Sequence, residues 1–153
     1  MVIGIGNILC SDEGVGVHVV NELRRMTLPP NVKIFDCGTN GMAVLEAMDG
    51  AKKAIIVDAV SSGKEPGTVH VYMIEDLVRM GDGLFKLVSL HQFDLLATLK
   101  LAELTNVYRI PPKVVIIGVE VKSLECSLEL SDEVRKAIPE VIETIVREIG
   151  PLT

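Results

Sequence analysis

Five apolar runs along the chain are strand-length and end at turn-forming residues: Val2–Gly6, Val32–Asp36, Ala54–Asp58, Thr68–Met73 and Val114–Glu120. Two of them, AIIVD and VVIIGVE, are almost wholly branched aliphatic, as expected of strands buried on both faces. Thr68–Met73 instead alternates, with Val69, Val71 and Met73 on one side and Thr68, His70 and Tyr72 on the other. That pattern predicts a half-exposed edge strand. Between the runs the period changes to that of a helix. Gly14–Met26 places Val15, Val19, Leu23 and Met26 on one face, and Pro29-Pro30 stops it. Gly41–Met48 is a short helix carrying Met42, Leu45 and Met48. Ser89-x-x-Gln92 has the form of a capping box before a helix over 90–104. From Ser131 to Ile149, Val134, Ile138, Val141, Ile142, Ile145 and Ile149 recur at helical spacing. Pro139 is tolerable there if a new helix begins at it. SSGKEPG at 61–67 and GDG at 81–83 read as breaks.

Strands alternating with helices predict an α/β fold. The expected architecture is a single three-layer domain over residues 1–153, a twisted, mostly parallel sheet with helices on both faces. At 153 residues the chain is long enough to bury a core without disulfides or a structural metal. Aromatics are only 3% and Trp is absent, so that core must be aliphatic.

The formal charge of −6, without a basic stripe, excludes a nucleic-acid partner. No apolar stretch is long enough to span a membrane, and no basic-then-apolar leader opens the chain. Cys10, Cys37 and Cys126 stand apart, without a CxxC pair, and read as small core thiols in a reducing compartment. The expectation is a cytoplasmic protein.

Chemistry concentrates near the start. Gly4-x-Gly6 after a strand suggests a dinucleotide turn, with Asp36 as a ribose acid. The third glycine of that fingerprint is replaced by Leu9, and Asp12 and Glu13 would repel a pyrophosphate at the helix start. Either acid alone is explained by the helix macrodipole. Asp58 closes a buried strand, where ligands bind in open α/β sheets. His91 sits in the first helical turn, which favours the neutral, metal-binding imidazole. Glu13, Asp58 and His91 together suit a divalent transition metal with open positions. His18 and His70 read as structural.

GIGNILCSDEGVGV (4–17), DCGTNGM (36–42, with Cys37 where glycine is common), IIVDA (55–59), SLHQ (89–92) and VVIIGVEVKSLE (114–125) occur in order. In these segments the chain resembles the hydrogenase maturation endopeptidases, which process the large subunit of nickel-iron hydrogenases. The resemblance implies metal contacts at Glu13, Asp58 and His91. It implies removal of a C-terminal extension from a nickel-loaded large-subunit precursor, the nickel being carried by that substrate. No permanent cofactor is expected, and a monomer suffices.

The catalytic trio would be Asp58, Glu13 and His91, in a family often grouped with aspartic-type peptidases. Two mechanisms stay open. The metal activates water or carbonyl, or it is a recognition handle and Asp58 or Asp36 is the general base. The alternative function is a non-catalytic metallochaperone holding the loaded subunit.

Overall fold

The computed structural model describes residues 1–77, 79 and 92–151, with backbone alone for 92–96. Among them are β1 (Val2–Gly4), α1 (Val15–Leu23), β2 (Ile34–Asp36), α2 (Gly41–Met48) and β3 (Lys53–Val60). They are followed by β4 (Val69–Met73), α3 (Gln92–Thr105), β5 (Lys113–Glu120) and α4 (Asp132–Ile149). The described strands form one sheet in the order β2-β1-β3-β5-β4. All neighbours pair parallel except β4, which runs antiparallel to β5 at the edge. The α/β three-layer expectation holds.

The aliphatic strands explain the layering. β3 and β5 are buried along their whole length after the first residue. Ile55, Val57 and Ala59 of β3 join Val115, Ile117 and Val119 of β5 beneath α1 and α4. Their alternate neighbours, Ala54 and Ile56 with Val114 and Ile116, pack with α2 and α3 on the opposite face. Each buried aliphatic side chain contributes about 1.5–3 kcal/mol relative to exposure, which is how a core nearly free of aromatics suffices.

The helices depart from expectation at their ends. The first begins as a one-turn 3-10 helix, Ser11–Gly14, and α1 stops at Leu23. Val15, Val19 and Leu23 are buried as the spacing requires, whereas Met26 lies beyond the helix and is exposed. In α2 the buried face is Val44, Leu45 and Met48, and Met42 is exposed. Asn40 caps α2 by accepting the Met42 and Ala43 N–H groups. Pro139 starts no new helix. It lies inside a continuous α4 on the exposed side, where water can satisfy the carbonyl left without an N–H partner. The break at 81–83 and the capping box at Ser89 and Gln92 fall outside the described residues and side chains.

Chain order reverses between β1 and β3, since β1 leads outward to β2 while β3 leads the other way to β5. This switch point is where a crevice opens beyond the carboxyl ends of the strands. One close approach sets its floor. A Cβ on Gly16 would lie 2.3 Å from the Val57 carbonyl oxygen and 2.4 Å from that of Ile5. The start of α1 therefore rests directly on the ends of β1 and β3.

Gly16→Ala tests this. Both obstructing atoms are backbone carbonyl oxygens, so neither can rotate away as a side chain would. The substitution is expected to cost about 3 kcal/mol or more, read as a lowered midpoint in urea denaturation.

Candidate active site

The turn leaving β1 is built by three devices. Gly6 has φ +148°, and a Cβ there would lie 2.1 Å from the Glu13 carbonyl oxygen. The Asn7 side chain accepts the Leu9 N–H at 3.0 Å, closing an Asx turn as its position in the sequence suggests. Ser11 adopts φ +51°, rare for a residue with a side chain. It is held there by its N–H to the Ser127 carbonyl at 2.8 Å and its hydroxyl to the Glu129 carbonyl at 2.9 Å.

Asp12 is fully buried. Its Oδ2 accepts the N–H groups of Lys122 and Ser123 at 2.8 and 2.9 Å and the Ser131 hydroxyl at 2.8 Å. Oδ1 accepts the Ser131 N–H at 2.7 Å. Ser131 Oγ in turn accepts the Val134 N–H, capping α4. The carboxylate is thus directed at the loop after β5, not at its own helix dipole. From the sequence Asp12 reads as a dipole acid and as one that repels a pyrophosphate, not as a buried structural acid. No residue type signalled this, since three of its four donors are backbone N–H groups.

With Asp12 fixed, the next residue, Glu13, is carried to the crevice. It is partly exposed, and its N–H is bonded to the Cys10 carbonyl at 3.2 Å. Asp58 stands across the switch point, near the end of β3, 1% exposed, with Oδ1 accepting the Ala59 N–H at 2.8 Å. The 3-10 turn packs against β3, so both carboxylates belong to the same edge of the sheet. His91 lies outside the described residues. Among the described residues, no three His, Cys, Asp or Glu side chains converge as a metal site.

A second buried acid escaped the sequence reading. Glu120 is 2% exposed at the end of β5. It accepts the Ser62 N–H at 3.2 Å, the Ser62 hydroxyl, and a bond from His70 Nε2 at 3.0 Å. His70, which stacks on Tyr72, therefore pairs with a carboxylate rather than facing solvent alone. The signal was the acid ending VVIIGVE, placed as Asp58 is in AIIVD. His18 buries Nε2 with no hydrogen-bond partner among the described residues. Burial, then Arg135, lowers its pKa.

The thiols divide. Cys37 is in the core, as expected, but Cys126 is exposed and Cys10 is intermediate. Partial burial, then the charge and hydrogen bond of Glu13, pushes the Cys10 thiol up. Burial, then Asp36 and Glu46, pushes Cys37 up to about 11. Neither is poised as a thiolate nucleophile. Asp36 is exposed, its Oδ1 accepting the Gly38 N–H at 2.9 Å. Beside it a groove of about 430 Å³ runs between the two turns, lined by Asn7, Ile8, Leu9, Val17, Asp36 and Thr39 among others.

Residues 17–148 match the family model described as hydrogenase maturation protease. A putative hydrogenase maturation protease of Methanocaldococcus jannaschii is 33% identical, covering 97% of this chain and 95% of its own. The hydrogenase 2 maturation protease of Escherichia coli is 35% identical, covering 98% and 92%. The solved structure of the hydrogenase maturating endopeptidase HybD from E. coli superposes with a TM-score of 0.83 at 35% identity, over 97% of this chain and 92% of that one.

Two outcomes follow from this geometry. Asp12→Ala orphans four donors and is expected to destabilise the protein by about 3–5 kcal/mol, read by urea denaturation. For Cys37, the raised folded pKa means the folded state keeps its proton above pH 9, where the unfolded thiol has lost its own. Stability therefore falls as pH rises from 9 towards 11. Cys37→Ala should show a shallower fall over that window than the parent chain.

Proposed function

The chain belongs to the hydrogenase maturation protease family, and on that premise we propose that Glu13, Asp58 and His91 meet the nickel centre of its substrate. It is an endopeptidase that processes a hydrogenase large-subunit precursor. The finer reading is that it removes a C-terminal extension once nickel has been inserted. One observation carries this: Glu13 and Asp58 flank the switch point at one sheet edge, one brought there by the turn after β1 and the other by β3.

In this reading Glu13 and Asp58 each offer an oxygen and His91 a ring nitrogen to a metal already held by the precursor. Three ligands from separate elements leave coordination positions open. They would bind loaded precursor well and free metal weakly. Asp58 is the preferred general base. It lies near the end of a central strand, whereas Asp36 is exposed at the end of the edge strand β2. Asp58 takes a proton from water, and the water oxygen attacks the scissile carbonyl. The C–N bond breaks, and the leaving nitrogen receives the proton. Grouping with aspartic-type peptidases rests on this carboxylate alone. The raised thiols of Cys10 and Cys37 disfavour a cysteine mechanism. A cytoplasmic monomer is the assembly this reading requires, and no described helix is long and apolar enough to cross a membrane.

Intact-mass spectrometry of a large-subunit precursor, with and without nickel, tests the proposal. Wild-type protein should release a C-terminal peptide from the loaded form alone. Asp58→Asn should abolish release, and Glu13→Gln and His91→Ala should lose binding to the loaded form. Equal cleavage of both forms would remove nickel as the signal. A stable complex without cleavage would favour the metallochaperone. Tight zinc binding by the isolated protein in calorimetry would point to a self-contained metallopeptidase.

A further inference from the structure

We propose that Cys10 and Cys126 form a reversible disulfide under peroxide, and that the bond silences the site by taking the Cys10 thiol away from Glu13. The bond stands on geometry alone, and the silencing rests on the peptidase reading above.

The two loops that carry these thiols already touch. Cys10 opposes Ser127 in an isolated parallel bridge. The Ser11 N–H donates to the Ser127 carbonyl at 2.8 Å, and the Ser127 N–H to the Leu9 carbonyl at 3.0 Å. Cys126, next to Ser127, is thus the diagonal neighbour of Cys10. Strand spacing and rise place such diagonal Cα atoms about 6 Å apart, within the roughly 4.4–6.8 Å that a disulfide spans. The chain bends at Cys126, so the alternation of a flat strand does not turn its side chain away. Its sulfur is close enough for its charge to act on the Cys10 thiol. Asp12, bonded to Ser123 and Ser131 on either side of Cys126, holds the two loops together, so closure asks only for side-chain rotation.

Exposure sets the order of events. Cys126 is exposed, Cys10 intermediate and Cys37 buried. Peroxide therefore reaches Cys126 first: its thiol becomes a sulfenic acid and one water leaves. The Cys10 sulfur then attacks the Cys126 sulfur, the S–O bond breaks, and the departing hydroxyl leaves as water with the Cys10 proton. Two thiols and one peroxide give one disulfide and two waters. In a reducing compartment a disulfide is usually of this transient, redox-sensing kind.

The consequence falls on Glu13. Its N–H bonds the Cys10 carbonyl at 3.2 Å, so the two residues share one 3-10 turn. Across that turn the Cys10 thiol donates to the Glu13 carboxylate. A disulfide has no proton to donate, so closure removes this partner. It also fixes the segment 124–128, with Leu124 and Leu128 exposed, against the turn that aims Glu13. A reacting group displaced by about 1 Å can lose on the order of a hundred-fold in rate.

The experiment treats the full chain with hydrogen peroxide, removes the excess with catalase, and then follows intact mass, alkylated peptides and release of the C-terminal peptide from nickel-loaded precursor. Wild type should lose about 2 Da, the two thiol hydrogens, and yield one cross-linked peptide pair holding Cys10 and Cys126. Processing should fall about ten-fold or more and return with dithiothreitol. Cys126→Ser should process like wild type when reduced and keep its rate after peroxide. Absence of the cross-link, or one between other cysteines, overturns the bond. The cross-link with an undiminished rate overturns the silencing. An equal loss of rate in Cys126→Ser assigns it to other oxidation and overturns the silencing as well. A reduced wild type that cleaves nothing removes the peptidase reading and the silencing with it, while the cross-link and its reversal still decide the bond.

Discussion

The structure depends on satisfying one buried carboxylate. Asp12 is removed from water entirely, and a charge so placed is tolerable only if its oxygens are fully engaged. The partners come from Lys122, Ser123 and Ser131, well over a hundred residues away in the chain. Closing that contact draws the loop after β5 against the turn after β1. It also seats Ser131, which caps the longest described helix. The strained Ser11 persists because this junction surrounds it with partners. Glu13 follows directly, so its backbone position is tied to its neighbour's hydrogen bonds.

A division of labour between adjacent acids results. Asp12 is buried in the junction, while Glu13 beside it stays partly exposed at the edge of the sheet. Across the switch point Asp58 is buried near the end of a central strand. One carboxylate is rigid because its strand is, and the other because the loop before it is tied down. Sites assembled from separate elements need such support, since small displacements of a ligand or base forfeit much of its effect. The direct packing of α1 on β1 and β3 at Gly16 keeps the two halves in register.

Much of this was legible in the sequence. The strands announced themselves because a parallel sheet covered on both faces needs unbroken branched aliphatic runs. The edge character of Thr68–Met73 followed from alternation, and Asn7 signalled its turn chemically. What stayed hidden was pairing at a distance. Nothing local to Asp12 says that its donors lie at 122–131, and Glu120 gave no sign that Ser62 and His70 converge on it. Helix ends were blurred for a related reason. Met26 and Met42 fit the apolar period, yet the packing of α1 and α2 is complete without them. Pro139 was misjudged because its exposed side, which makes it tolerable mid-helix, is a tertiary property. Glu13 and Asp58 stand out by position, but their roles rest on chemistry and family resemblance together.

The reversed direction of β4 bears on how such a protein diversifies. In an all-parallel sheet the chain enters each strand at the far edge, so entering loops are remote from the crevice. Because β4 runs backwards, the segment 61–68 enters it at the near edge, beside the end of β5, where Ser62 and His70 are pinned to Glu120. The rim thus gains a loop whose length is uncoupled from the 3-10 turn that carries Glu13 and the strand that carries Asp58. Changes of length in that segment would reshape the rim without moving the elements that hold Glu13 and Asp58.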